Sequence, residues 1–243
     1  MTDPDHAADA PAADGGSLPG RRAVRSFVVR AGRITGAQSR ALEELWPRFG
    51  LECGAQPLDP AAVFGRIAPL TVEIGFGSGE HLAALAQAHP GRDHLGIEVH
   101  PPGVGRLLLL AGRAGLTNLR IVCHDAVEVL ERAVAPGSID EFLILFPDPW
   151  PKKRHHKRRL IQPAFVRLVA DRLRPGGVLR LATDWEPYAA QMLEVLGGCE
   201  MLENLSPAGA FMPRPEGRAP TRFEQRGTRL GHAVWDLAFR RRS

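Results

Sequence analysis

The chain has 243 residues, 44% of them hydrophobic and 24% charged, with a formal net charge of +4 at neutral pH. That length suits one substantial domain, and the composition is that of a folded protein, not a disordered or fibrous one. No uninterrupted apolar run approaches bilayer-spanning length, and the three cysteines (Cys53, Cys123, Cys199) are too few and scattered for a disulfide framework or a zinc cluster, so a reducing cytoplasm is the expected compartment.

Residues 1–20, MTDPDHAADAPAADGGSLPG, are rich in Ala, Gly and Pro and have no apolar core segment. They lack the build of a secretory signal and are expected to be a disordered extension, because they bury too little to offset their ordering entropy. Residues 21–243 are expected to form a single domain. Its first stretch carries Arg21, Arg22, Arg25, Arg30 and Arg33, compatible either with solvated surface or with a polyanion contact. In ITGAQSRALEELWPRFG, Thr35 caps a helix, Gln38 completes a capping box, and Leu42, Leu45 and Trp46 share a face until Pro47 stops the pattern.

From Pro69 onward, strands and helices alternate. LTVEI is a strand followed by a glycine turn and the helix HLAALAQA; DHLGIEV, NLRIVC, EFLILF and VLRLAT are further strands. Between and after them, GVGRLLLLAGRAG, VEVLERAV, IQPAFVRLVADRL and PYAAQMLEVLGG read as helices, the third with Phe165, Leu168, Val169 and Leu173 inward. This rhythm predicts an α/β sandwich with a mostly parallel sheet and helices on both faces. A Pro- and Gly-rich loop follows, and HAVWDLAF is expected to close one edge as an antiparallel strand.

The turn after the first of these strands carries Gly75, Gly77 and Gly79, with Glu80 where a dinucleotide fingerprint would place its third glycine. The spacing matches the Gly-x-Gly-x-Gly turn of nucleoside-binding methyltransferases. Glu98 ends the next strand, where an acid can accept from both ribose hydroxyls of a nucleoside, and Asp125 follows the third strand, placed to accept from an adenine amine. Asp148 and Asp184 follow the fourth and fifth strands. Glu73 lies within the first strand, either steadying the loop or meeting the ligand's amino group. Cys123 is expected to be small and buried, without a covalent role. No His/Cys set has metal-ligand spacing, and no metal is expected.

The stretch LILFPDPWPKKRHHKRRL ends a strand and at once exposes an acid, an aromatic and six Lys or Arg within the eight positions Lys152–Arg159. Like charges that dense need a partner, and Lys152, Lys153, Arg154, Lys157, Arg158 and Arg159 are candidate phosphate contacts. Pro147 and Pro149 restrict the backbone around Asp148; Trp150 either stacks on a base or packs beneath the loop.

VEIGFGSGEHL, GIEVHPPGVG, LILFPDPWPKKRHHKRRL and TRFEQRG together resemble the bacterial tRNA (guanine-N7)-methyltransferases, over about Arg21 to Arg240. The resemblance implies the class I S-adenosylmethionine-dependent methyltransferase sandwich, a Rossmann-like fold, with S-adenosylmethionine as cofactor and a guanosine in the variable region of tRNA as substrate. It further implies that Glu73, Glu98, Asp125 and Asp148 are cofactor-site acids and that Asp148 is also catalytic. Lys152, Asp184, Thr221, Arg222, Phe223 and Glu224 match substrate-binding positions, Arg222 at a variable one that acts through backbone or charge only. No membrane association or obligate protein partner is implied, and monomer and homodimer both stay open. The rival readings are a small-molecule methyltransferase, which leaves the basic run unexplained, and a non-enzymatic RNA-binding protein, which leaves the set of acids unexplained. A nicotinamide oxidoreductase is disfavoured by Glu80.

Overall fold

A computed structural model describes Ser26 and residues 33–54, 56–214 and 233–243. The expected extension over 1–20, the arginines at 21, 22, 25 and 30, and the Thr221–Glu224 segment lie outside the described residues.

The capping box forms as the sequence predicts. Gln38 N donates to Thr35 Oγ1 at 3.3 Å and Thr35 N to Gln38 Oε1 at 2.9 Å, opening α1 (Gly36–Glu44). The same Gln38 amide donates to Pro102 O at 3.0 Å, tying α1 to a helix 64 residues on. Pro47 does not end helical structure; it sits in the first turn of α2 (Trp46–Phe49), where its missing N–H has no partner to lose. The strand β1 (Gly50–Leu51) and helix α3 (Pro60–Phe64) follow; both are too short to show a period in sequence.

The expected alternation then runs β2 (Leu70–Ile74), α4 (Glu80–Ala88), β3 (Asp93–Ile97), α5 (Pro101–Arg113), β4 (Leu119–Val122), α6 (Ala126–Ala133) and β5 (Ile139–Leu145). A 3-10 segment, Lys153–Arg158, leads to α7 (Pro163–Arg172), β6 (Leu173–Thr183), α8 (Glu186–Gly197), β7 (Leu202–Asn204) and β8 (Trp235–Arg241). Phe165 and Val169 of α7 are buried and Leu168 half-buried, while Leu173 is buried as the first residue of β6.

These strands form one sheet in the order β1-β4-β3-β2-β5-β6-β8-β7. Pairing is parallel from β1 through β6, and β8 runs antiparallel to both β6 and β7. The fold is thus the expected, mostly parallel α/β sandwich, with β7 as an additional outermost strand beyond β8. One apolar core contains Leu82, Val104, Leu107 and Leu108 of α4 and α5. The other contains Leu130, Val169 and Met192 of α6, α7 and α8 against Val72, Phe142 and Leu181 of the sheet. Each such fully buried side chain contributes roughly 1.5–3 kcal/mol. No helix among the described residues is long and apolar enough to cross a membrane.

Gln38→Ala removes both the reciprocal cap and the tie to Pro102. It is expected to lower unfolding free energy by about 1–2 kcal/mol, read from the denaturant midpoint; an unshifted midpoint would show that α1 needs neither bond.

Candidate active site

The strands end together. Ile74 pairs with Ile97 and Ile97 with Val122, and Leu145 pairs with Ala182. Glu98, Asp125, Asp148 and Asp184 therefore all leave the C-terminal edge of the sheet, within three residues of a strand end. β2 pairs with β3 on one side and β5 on the other, so chain order reverses there. That reversal makes a crevice at the strand ends, where ligands of open α/β sheets bind. The glycine turn stands on one side of it and the Asp148 loop on the other, on strands roughly 4.8 Å apart.

The turn follows β2 with left-handed backbone at Gly75 (φ 73°) and Gly77 (φ 58°), conformations only glycine adopts without strain. A Cβ added at either would meet nothing within 4 Å, so the turn faces open space. Behind it the fit is close. A Cβ on Gly103, in the first turn of α5, would lie 2.0 Å from Gly77 O.

Glu98 is held by three backbone donors: Gly77 N to Oε2 at 2.9 Å, and Val99 N and His100 N to Oε1 at 2.7 and 3.1 Å. Burial raises its pKa, and these N–H groups oppose that rise. Its position beside the open turn, with lone pairs still available, suits a carboxylate that accepts from a ribose diol. Asp125 caps α6 through Oδ1, which accepts from Val127 N at 2.8 Å, leaving Oδ2 for a ligand. Glu73 is 3% exposed, and its Oε2 lies 3.0 Å from His81 Nδ1 in the first turn of α4. The contact ties β2 to the helix that follows the turn, and no sequence signal singles out His81 as its partner. Cys123 is half-buried rather than buried; burial, then Glu98 and Glu52, raise its thiol pKa, disfavouring the nucleophilic thiolate. This donor set and the open turn fit S-adenosylmethionine. Among the described residues no cluster of His, Cys, Asp or Glu could hold a metal ion.

Asp148 is exposed at the tip of its loop. Phe146 (φ 54°) and Trp150 (φ 43°) bracket it, the two described non-glycine residues with left-handed backbone. Such positions cost about 1–3 kcal/mol each and persist where surrounding contacts fix them. Phe146 N extends the sheet ladder to Ala182 O at 2.8 Å. Trp150 Nε1 donates to Ser26 O at 3.1 Å, the Arg158 guanidinium lies 4.9 Å over its ring, and His155 meets it edge-on at 5.8 Å. Of the two expectations for Trp150, the contacts favour packing beneath the loop. Asp184 follows β6, half-buried, next to the start of α8.

Lys152, Lys153, Arg154 and Lys157 are exposed and Arg158 is half-buried. Their mutual crowding shows at His155, whose pKa is lowered by desolvation and then by Arg154, Arg158, Lys152 and Lys157. Arg159 departs from expectation. At 3% exposure it is inside the protein and does not belong with the phosphate contacts. Nothing in the residues around it signals this, because the basic run has no apolar period that singles out one member.

A family model described as "Putative methyltransferase" matches residues 67–237. The tRNA (guanine-N(7)-)-methyltransferase of Methylococcus capsulatus is 61% identical over 220 residues, 90% of this chain and 95% of the relative. That of Leifsonia xyli subsp. xyli is 57% identical over 216 residues, 89% and 95% of the two chains. The 16S rRNA methyltransferase KamB superposes with a TM-score of 0.54 at 17% identity, covering 89% of this chain and 99% of its own; that likeness speaks for the fold alone.

Gly103→Ala would ordinarily favour a helix by about 1 kcal/mol, but here the methyl must displace the glycine turn. Expected are an unchanged far-UV spectrum and S-adenosylmethionine affinity at least tenfold weaker by calorimetry; wild-type affinity would separate the turn from the ligand. Hydroxyl donors favour ionised Glu98, so affinity should be full above its raised pKa and fall as pH drops through it. In Glu98→Gln that fall should vanish.

Proposed function

The chain belongs to the tRNA (guanine-N7)-methyltransferase family, and we propose that it transfers a methyl group from S-adenosylmethionine to N7 of a guanosine in the variable region of tRNA. The observation that carries this reading is a juxtaposition on one sheet edge. An open glycine turn with a half-buried carboxylate, Glu98, stands beside a braced aspartate loop that runs straight into exposed cations.

When bound, S-adenosylmethionine supplies an electrophilic methyl group on a sulfonium. Gly75 and Gly77 would give it backbone room, and Gly79 lets the turn pack on α5, where a Cβ would lie 2.6 Å from Leu107 Cβ. Glu98 would accept from the ribose hydroxyls, and Asp125 would accept from the adenine amine. Glu73 acts through His81 by fixing the turn. Guanine N7 offers an in-plane lone pair and carries no proton, so attack needs no general base, which suits a loop whose reactive group is a carboxylate. Asp148 accepts from guanine N1–H and the exocyclic amine, aligning the ring, and its charge offsets the positive charge the base acquires. Alignment and prearranged electrostatics are the two large sources of rate enhancement open to such a site.

Lys152 and Asp184 flank the base as substrate contacts, with Thr221, Arg222, Phe223 and Glu224 assigned by resemblance. Lys153, Arg154, Lys157 and Arg158 meet the flanking phosphates, supplying affinity and register while RNA shape supplies selection. Residues 21–243 act as one domain, in the cytoplasm where the tRNA substrate is found.

Incubation with unmodified tRNA and labelled S-adenosylmethionine, followed by nucleoside mass spectrometry, should yield 7-methylguanosine; label in another nucleoside or in none refutes the assignment. Asp148→Asn should lower kcat by about 10²–10³ with tRNA affinity within a few-fold of wild type, and near-normal turnover would remove Asp148 from the chemistry. Neutralising Lys153, Arg154 and Lys157 together should flatten the dependence of log affinity on log salt by about 0.7–0.9 for each phosphate that is no longer neutralised. An unchanged slope would mean the exposed run faces away from RNA.

A further inference from the structure

Arg159 ends a run of cations, yet none of its described hydrogen bonds reaches outward. Its Nε donates at 2.8 Å to the carbonyl of Pro149, the residue directly after Asp148. Nη1 donates to Gln191 Oε1 on α8, and Nη2 lies 3.1 Å from His156 Nε2. The guanidinium carbon sits 4.8 Å over the ring of Tyr188, also on α8 and fully buried. The two α8 residues are fixed in turn: Tyr188 OH accepts from Ile161 N at 3.1 Å, and Gln191 Nε2 donates to Ile161 O at 3.2 Å.

We propose that Arg159 is a positioning residue that locks the Asp148 loop to α8, and so sets the spacing between Asp148 and Asp184, instead of binding RNA. The proposal rests on the reading above in which Asp148 orients guanine. α8 starts two residues after Asp184, so a single guanidinium ties the Asp148 loop to the helix that the Asp184 turn leads into. A planar fork with donors in fixed directions can hold a carbonyl and an amide at once and stack on a ring; an ammonium cannot. The environment agrees. Tyr188 has its pKa raised, first by burial, with Arg159 lowering it and the Asp148 charge raising it, so both groups act on the same phenol. Pro149 has no N–H, and this bond fixes the carbonyl that remains. Burial of a charge without such bonds would be strongly unfavourable.

The two roles predict opposite results for a charge-conserving change. If Arg159 met a phosphate, Arg159→Lys would keep near-normal turnover and Arg159→Gln would flatten the salt slope of tRNA binding. If it holds the loop, Arg159→Lys lowers kcat at least tenfold, leaves KM for tRNA within about threefold, and leaves the salt slope at its wild-type value. Gln191→Ala takes away the guanidinium's partner without touching the basic run. It should lower kcat at least fivefold with unchanged salt slope, and it decides the matter if the Arg159 variants do not fold. Wild-type kcat in Arg159→Lys, or in Gln191→Ala, overturns the proposal, as does a flattened slope in Arg159→Gln with normal kcat. A wild-type enzyme that forms no 7-methylguanosine would instead overturn the underlying reading of the site.

Discussion

The pairing of β2 between β3 and β5 is the constraint from which the site follows. All three strands are parallel and in fixed register, and chain order reverses at β2. The turns on either side therefore rise from one edge and diverge over opposite faces, leaving a crevice between them. Because side chains alternate along a strand, a slip of one residue would send Glu73 to the opposite face, away from His81, and bring its apolar neighbours in its place. The same sheet that buries Val72 and Phe142 thereby brings Glu98 and Asp148 to one edge, after strands on either side of β2.

The two sides of this crevice are built on different principles. On the glycine side, what matters is the absence of side chains. Gly103 lets α5 approach Gly77, and the turn itself leaves space above it. On the aspartate side, what matters is restraint. Left-handed backbone at Phe146 and Trp150 brackets a segment with two prolines, and the unfavourable geometry is offset by the sheet ladder at one end and the packed indole at the other. In the proposed reading the exposed cations beyond contribute to polyanion affinity over a range set by screening, about 8–10 Å at physiological salt. The buried one is insulated from that screening and can serve geometry instead.

Legibility in the sequence tracks the range of each interaction. The Thr35–Gln38 box and the strand–helix alternation are local, and both stand in the residues themselves. Glu98 and Asp125 are visible as acids after strands because strand ends and ligand crevice coincide in this architecture. The hidden features depend on partners far along the chain, Gln38 against Pro102 and Trp150 against Ser26, or on a pairing across a turn that no periodicity marks, His81 with Glu73. Arg159 is the sharpest case, since it differs from Arg158 in sequence by nothing except its neighbours in space. Pro47 misleads for another reason, as a proline stops a helix from within yet begins one comfortably. The strands β1 and β7, with two and three residues, carry too few side chains to show a pattern.

The order of strands also bears on how the protein is made. β8 lies between β6 and β7, though β7 comes first along the chain. A nascent polypeptide emerging from the ribosome can assemble β2 through β6 with their helices while the remainder is still being translated. β7 then has no neighbour to bind, and the open flank of β6 stays unpaired until β8 emerges and inserts between them. Completion of that side of the sheet is accordingly a late event in biogenesis, and the interval before it is when the nascent chain is most exposed to edge-to-edge aggregation and most in need of chaperones.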